Sequence, residues 1–254
     1  MRTALVSDVH GNDVALDAVL ADLRGAVVDQ VVFLGDMVQG GAQPFQTVAR
    51  LRALGHPVVM GNADDWLLSG EAGSSAGPVT EQMEAVRLWT LAQLSNEDCI
   101  YLRQFAPTFA LDVGAGRSAL CFHGSPGSFS DVILPASAQP AVERLLGASA
   151  DVLAGGHTHL QQLRRVGARG ERLFVNPGSA GFAYAHTQPR GLDFRADPWA
   201  EYAVLTSDPD ILGIEFRRIP FDAAAYVRTA FASGRPHSDE LAMRYGMVSP
   251  DSFR

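Results

Sequence analysis

Val6-Ser7-Asp8-Val9-His10-Gly11-Asn12 follows directly on the apolar run Ala4-Leu5, and its reading decides the rest of the chain. A short buried strand over residues 2–7 gives way to a carboxylate and an imidazole two residues apart. On an extended backbone, side chains at i and i+2 point to the same side, so Asp8 and His10 can reach one metal ion. Asn12 suits the N-cap of a helix that carries Leu16, Val19, Leu20 and Leu23 on one face and stops at Gly25.

The same grammar recurs downstream. Val31-Val32-Phe33-Leu34 reads as a second buried strand and ends in Gly35-Asp36. A helix through Phe45 and Leu51 is stopped by Gly55. Pro57-Val58-Val59-Met60 reads as a third strand and ends in Gly61-Asn62. Strands alternating with helices imply a parallel sheet with crossover connections, whose ligand sites lie beyond the carboxyl ends of the strands. Asp8, Asp36 and Asn62 all fall there.

Residues 70–78 read as a mobile loop. A helix with Ala85, Leu88, Trp89 and Ala92 on one face follows, then a helix opened by a Ser95/Asp98 variant of the capping box. Beyond Pro107 the pattern changes to a hairpin (109–113 and 119–122 around Gly114-Ala115-Gly116), a helix at 140–146 and strands at 152–154, 161–166 and 172–175. A final hairpin (202–205 and 211–216), a helix at 222–232 and a polar tail from Ser233 complete the chain. The expected architecture is α/β: two facing sheets with helices outside, in one domain over residues 1–254. A helical insert at about 70–105 and an extension from about 220 complete it.

The 254 residues carry a formal net charge of −8 and are 47% hydrophobic and 19% charged, which suits a globular chain with a sizeable core. The absence of a basic run argues against nucleic acid as a stable partner. No segment has the length of a membrane span. Cys99 and Cys121 are far apart and read as small hydrophobes in a reducing compartment, so the expected location is cytoplasmic. Gly124-Ser125-Pro126-Gly127 is not a nucleophile elbow, and Gly114-x-Gly116 lacks the context of a dinucleotide site.

Two further segments repeat the opening pattern. Leu120-Cys121-Phe122 leads into His123-Gly124, and Val152-Leu153-Ala154 leads into Gly155-Gly156-His157-Thr158-His159. Four of the seven histidines therefore sit at the ends of apolar runs. A lone histidine there is commonly structural, Asp36 could merely cap a helix and Asn62 could be a turn residue, but five segments share the chemistry. Mixed Asp, His and Asn ligation suits Mn, Fe, Co, Ni or Zn more than Ca or Mg alone. The donors suffice for two ions, and a bridging Asp would hold them roughly 3.5–4 Å apart.

The ordered set Asp8-x-His10, Gly35-Asp36, Gly61-Asn62-x-Asp64, His123 and Gly156-His157-x-His159 resembles the calcineurin-like metallophosphoesterase family, over residues 6 to about 181. The resemblance implies an αββα sandwich with a dinuclear centre at one edge. One metal would take Asp8, His10, Asp36 and His159, the other Asp36, Asn62, His123 and His157, with Asp36 bridging. The ions would be divalent transition metals (Mn, Fe, Ni or Zn, with Mn favoured). Asn12 is similar to the family residue that contacts the phosphoryl group, and Val175-Asn176-Pro177-Gly178-Ser179 resembles the segment after the last ligands in small bacterial and archaeal members.

One departure stands out. Many members carry a His after the Asn of the third motif, linked to protonating the leaving group, whereas this chain has Ala63. The chain is thus most similar to a small-phosphodiesterase branch that has lost this His. The expected activity is hydrolysis of a small phosphodiester or nucleotide by a metal-bridging hydroxide, with Asp36 holding the centre and Asn12 and His123 stabilising charge on phosphate oxygens. A lost general acid typically costs about 10²–10⁴-fold, and His186 is a candidate replacement. The alternatives are a phosphomonoesterase, protein phosphatases included, and a non-catalytic metal-binding scaffold. The insert at 70–105 and the loop from Gly181 to Ala200, with Arg190, Arg195 and Trp199, are expected to wall the pocket.

Overall fold

The computed structural model describes residues 1–72, 78–147, 150–188 and 194–247. Two sheets lie face to face. The first has the order β2 (Gln30–Phe33), β1 (Arg2–Val6), β8 (Trp199–Ser207), β9 (Leu212–Pro220). β1 and β2 are parallel, as the strand–helix alternation requires, whereas β8 runs antiparallel on the other side of β1. The second has the order β3 (Phe109–Gly114), β4 (Arg117–Cys121), β5 (Val152–Ala154), β7 (Arg172–Asn176), β6 (Gln162–Val166). Its three central strands are parallel and both edges antiparallel.

Residue alternation along the central strands separates the layers. Leu5 of β1 and Val152 and Ala154 of β5 pack in the core between the sheets. Ala4 and Val6 point the other way, onto α1 (Asp13–Ala26), α2 (Pro44–Leu54) and α7 (Ala223–Ala232). Leu153 likewise faces outward onto α6 (Gln139–Leu146). Because both faces of these strands are covered, they are apolar almost throughout, as expected for buried sheets. The architecture is the expected αββα sandwich.

Several local expectations need correction. Pro57–Met60 forms only isolated bridges, Val58 to Phe33 and Val59 to Ala106, so the third strand is a short extended link. Gly25 does not stop α1. It faces open space inside the helix, which runs to Ala26 and closes on Val27 in the left-handed region. A single helical glycine costs only about 1 kcal/mol. α4 (Glu81–Ala92) buries Val86 and Thr90, while Leu88 is 53% exposed. That helix packs on α3 (Asn62–Ser69), with Arg87 over the Trp66 ring, so its apolar stripe is narrow and turned from the expected one. α5 (Asn96–Leu102) opens on the expected Ser95/Asp98 capping box. The final hairpin is longer than its apolar cores suggest. The polar tail folds into α8 (Ser238–Arg244), which buries Leu241 and Ala242. The expected loop at 70–78 falls partly, and Arg190 wholly, outside the described residues. Both cysteines are free thiols, and burial pushes Cys121 up to about 12.

Candidate metal centre

All the predicted ligands but Asn62, which opens α3, lie in loops just beyond a strand end, and these loops are stitched together by main-chain hydrogen bonds. Asp8 N donates to Gly35 O, His10 N to Asp36 O, Gly156 N to His123 O, and Gly181 N to Asp8 O. The backbone there is not extended. Asp8, His10, Asp36, His157 and His159 all have φ between 49° and 70°. The i, i+2 argument for Asp8 and His10 therefore assumed a geometry that the backbone does not have, although both side chains fall in one donor set. Left-handed conformations at non-glycine residues cost energy and persist where surrounding contacts over-determine them. Glycines supply the close approach: a Cβ on Gly61 would sit 2.1 Å from Asp36 Oδ1, and one on Gly156 would sit 1.9 Å from Ser7 Oγ.

Two donor sets form. Asp8, His10 and His159 offer one ligand atom each within 4.8 Å of one another, as do Asp36, His123 and His157. Asp36 links them. Its Oδ1 accepts from Ala63 N at 2.7 Å. Its Oδ2 lies 3.3 Å from Nε2 of His123 and 3.8 Å from Nε2 of His10, facing both sets. Asp8 is arranged alike: Oδ2 accepts from His157 N at 3.1 Å, while Oδ1 is buried without a directed hydrogen bond, 3.2 Å from His159 Nε2. Asn62 Oδ1 meets His123 Nε2 at 3.0 Å.

The imidazole tautomers fit a cation site. Nδ1 of His10, His123 and His159 each faces a main-chain carbonyl, of Gln39, Leu34 and Phe182, at 2.9, 2.7 and 2.7 Å. Only an N–H satisfies a carbonyl, so in the neutral ring Nε2 is a lone pair directed at the centre. Nε2 of His10 and of His159 are 3.1 Å apart beside the unsatisfied oxygen of Asp8. Acceptors converging this closely require a positive charge among them. Protons supply it in the metal-free protein. Burial opposes charge on His10 and His123, but Asp8 and Asp36 hold both up at about 9. Conversely, burial would raise the carboxylates, yet the histidine charges hold Asp36 at about 2 and Asp8 well below its usual range.

Other residues support the centre. Asp64, fully buried, accepts from Met37 N at 2.9 Å and Val38 N at 3.0 Å and so clamps the loop after Asp36. Burial, then the Asp36 charge, pushes it up to about 6 despite those bonds. Asn176 Nδ2 donates to Gly156 O and Ser179 Oγ to Asp8 O. Asn12 is the expected cap of α1 but does not line the cleft. It is wholly buried, accepts from Ala15 N as the α1 cap and donates to Gly181 O, so it is a clasp between loops rather than a group facing substrate. His123, also wholly buried, faces the donor sets and not the solvent.

The centre floors a cleft of about 450 Å³. The insert contributes Val79, Met83 and Val86, and the later loop contributes Phe182 and Tyr184, as expected. Arg195 donates instead to Met243 O, and Trp199 opens β8 away from the cleft lining. The sequence reading missed the C-terminal contribution: Tyr226, Arg235, Leu241 and Arg244 line the same cleft. Their only signal was a helix over 222–232 followed by a polar tail. A second cleft of about 380 Å³ shares His157 and Tyr184 with the first and holds His186, whose ring stacks on Tyr184 at 4.6 Å.

Comparison with known proteins agrees with this geometry. Residues 1–194 match the calcineurin-like phosphoesterase superfamily domain. An uncharacterized protein of Methanocaldococcus jannaschii is 31% identical over 123 residues, a match covering 48% of this chain and 49% of that protein, so the chain spans about half the length of the curated relative it matches. The crystal structure of a metallophosphoesterase from Sphaerobacter thermophilus is 26% identical, with a TM-score of 0.72 over 98% of this chain and 99% of that one. The fold is also shared by a hypothetical protein from Pyrococcus horikoshii, at 19% identity and a TM-score of 0.78 over 96% of this chain and 97% of that one.

Proposed function

The chain belongs to the calcineurin-like phosphoesterase superfamily, and from that premise we propose that it is a hydrolase of small phosphodiesters dependent on two divalent transition-metal ions. The observation that carries the proposal is the pair of donor sets facing a shared Asp36 Oδ2 on the floor of a cleft. Asp8, His10, Asp36 and His159 would hold one ion, and Asp36, Asn62, His123 and His157 the other. Bound there, such ions supply Lewis acidity and a water nucleophile at neutral pH. Manganese is the ion we favour among Mn, Fe, Ni and Zn.

The chain's own residues do the rest. The carbonyls of Gln39, Leu34 and Phe182 fix the imidazoles with Nε2 inward. Asp64 and Ala63 N hold Asp36 so that only Oδ2 faces the cleft. Ala63 lines the cleft at the position from which a His would reach a leaving group. It carries no proton, so good leaving groups are favoured. Two clefts meeting at His157 and Tyr184 give room for the two ester arms of a diester. His186 lies in the second of them, and its ring is already engaged with Tyr184.

The test compares bis-p-nitrophenyl phosphate with p-nitrophenyl phosphate under added Mn²⁺. The diester is expected to turn over with the higher kcat/KM. A preference for the monoester overturns the reading in favour of a phosphomonoesterase.

A further inference from the structure

The cleft above the metal centre is built from two sources. Its floor lies within residues 1–194, which match the family domain. One wall, from Tyr226 to Arg244, lies wholly outside that match. Two arginines of this wall line the cleft. Arg235 donates from Nε and Nη2 to Gly40 O and from Nη1 to Pro236 O and His237 O, so its hydrogen bonds go to neutral carbonyls. Arg244 lies with Cζ 5.5 Å from the Phe182 ring centroid and 5.7 Å from that of Phe194. Neither is within 4.0 Å of a carboxylate among the described residues, whereas Arg50, Arg52, Arg87, Arg217 and Arg218 all are. The nearby acid, Glu240, is paired with His237 at 3.3 Å. In a chain of net charge −8, these two arginines, held by carbonyls and aromatic rings, stand on the wall of a cleft that also exposes apolar side chains of the insert and of the Phe182–Tyr184 loop.

We propose that this C-terminal wall is a subsite for a second anionic group of the substrate, carried on an aromatic arm. The substrate class is a nucleotide diester that keeps a further phosphate beside the scissile one. The inference rests on the diesterase reading and deepens it. The aromatic arm would lie along Phe182 and Tyr184, opposite Met83. The second phosphate would meet Arg244, whose planar guanidinium is already oriented by the phenyl rings and can engage two phosphate oxygens at once. Arg235 has a different part: it ties the wall to Gly40, next to the Gln39 carbonyl that orients His10.

The test uses the full chain with Mn²⁺ and two chromogenic diesters, the p-nitrophenyl ester of thymidine 5′-phosphate and the same ester bearing a 3′-phosphate. The 3′-phosphate is expected to raise kcat/KM about tenfold, the scale of one charge-assisted contact, mainly through KM. Arg244→Met is expected to collapse that ratio toward one, and Arg244→Lys to retain part of it. Binding of thymidine 3′,5′-bisphosphate to chelator-treated protein, by calorimetry, reads the subsite without turnover and should weaken about tenfold in Arg244→Met. A ratio of one in the parent, or a ratio and affinity unchanged in Arg244→Met, overturns the subsite. Failure of both thymidine esters and of bis-p-nitrophenyl phosphate in a metal-loaded parent overturns the diesterase reading, while calorimetry still decides the subsite.

Discussion

The floor of the cleft and its wall are held in opposite ways. On the floor, Asp8 and His123 are wholly buried and Asp36 is 3% exposed. Five of the proposed ligand residues occupy left-handed conformations, and the loops carrying them are sewn to one another by main-chain hydrogen bonds. On the wall, Val79 and Met83 are 40% and 44% exposed, and the arginines answer to carbonyls and aromatic rings. The floor tolerates little displacement, because its buried carboxylates and imidazoles hold one another's charge at short range. The wall tolerates exchange, because it makes area and charge available to whatever lies above. On the proposed reading, chemistry and selectivity are placed in separate structural materials.

The contrast can be broken at several points. The largest expected effect is that of Asp36→Asn, which removes the charge shared by both donor sets while keeping its shape. Activity on bis-p-nitrophenyl phosphate should fall by at least about 10²-fold, the scale of one lost preorganised electrostatic group. Elemental analysis should show reduced metal. If a well-folded, metal-loaded parent is no more active than this variant, the chain is a scaffold.

The next effect is on metal affinity. Without metal, His10 and His123 are held at about 9, above the ordinary 6.5. The stability they contribute is full below 6.5 and lost as pH rises through 9. A cation must displace these protons, so Mn²⁺ should bind more tightly as pH climbs from 6.5 to 9, by up to about tenfold per pH unit for each proton released. Chelator competition across that window measures the slope, and a flat profile refutes the ligand assignment.

Asp64→Ala comes third. It strips Met37 N and Val38 N of their acceptor, and should weaken metal binding about 10–100-fold, as losing a residue that orients ligands does, with a loss of about 1–3 kcal/mol in stability for the orphaned donors. Equilibrium metal titration and thermal unfolding read the two parts. The smallest effect belongs to the wall. Met83→Ala should raise KM for an aromatic diester by about fivefold or less, since roughly 1 kcal/mol of apolar contact is at stake, and leave kcat unchanged. A larger fall in kcat would show that the wall is not separable from the floor.

The same division explains what the sequence made legible. The floor is local: four of the proposed ligands, Asp8, Asp36, His123 and His157, follow apolar strands and announce themselves by position. The left-handed backbone at Asp8, Asp36 and His157 was invisible, because it is held by partners such as Gly35, Gly61 and Ala180 that are mostly remote in the chain. The wall is tertiary. Val86 and Thr90, not Leu88 and Ala92, face inward on α4 because of where α3 lies, and no periodicity within residues 81–92 encodes that. Asn12 was read correctly as a cap, but its other bond, to Gly181, depends on a loop from the far end of the chain.

β1 lies between β2 and β8, and this placement bears on how the molecule comes into being. The opening strand can pair early with β2, but its other edge stays open until β8 is made, almost the whole chain later. The loop after β1 waits nearly as long, since Ser7 O accepts from Ala180 N, and Asp8 O from Gly181 N and Ser179 Oγ. At synthesis rates of roughly 5–20 residues per second the delay is on the order of 10–40 s. Pairings so distant along the chain also make for slow folding. During that interval a nascent chain presents an unpaired apolar strand edge ahead of a half-built donor set. The ribosome-bound stage is therefore when this protein is most exposed to aggregation and to capture of the wrong metal.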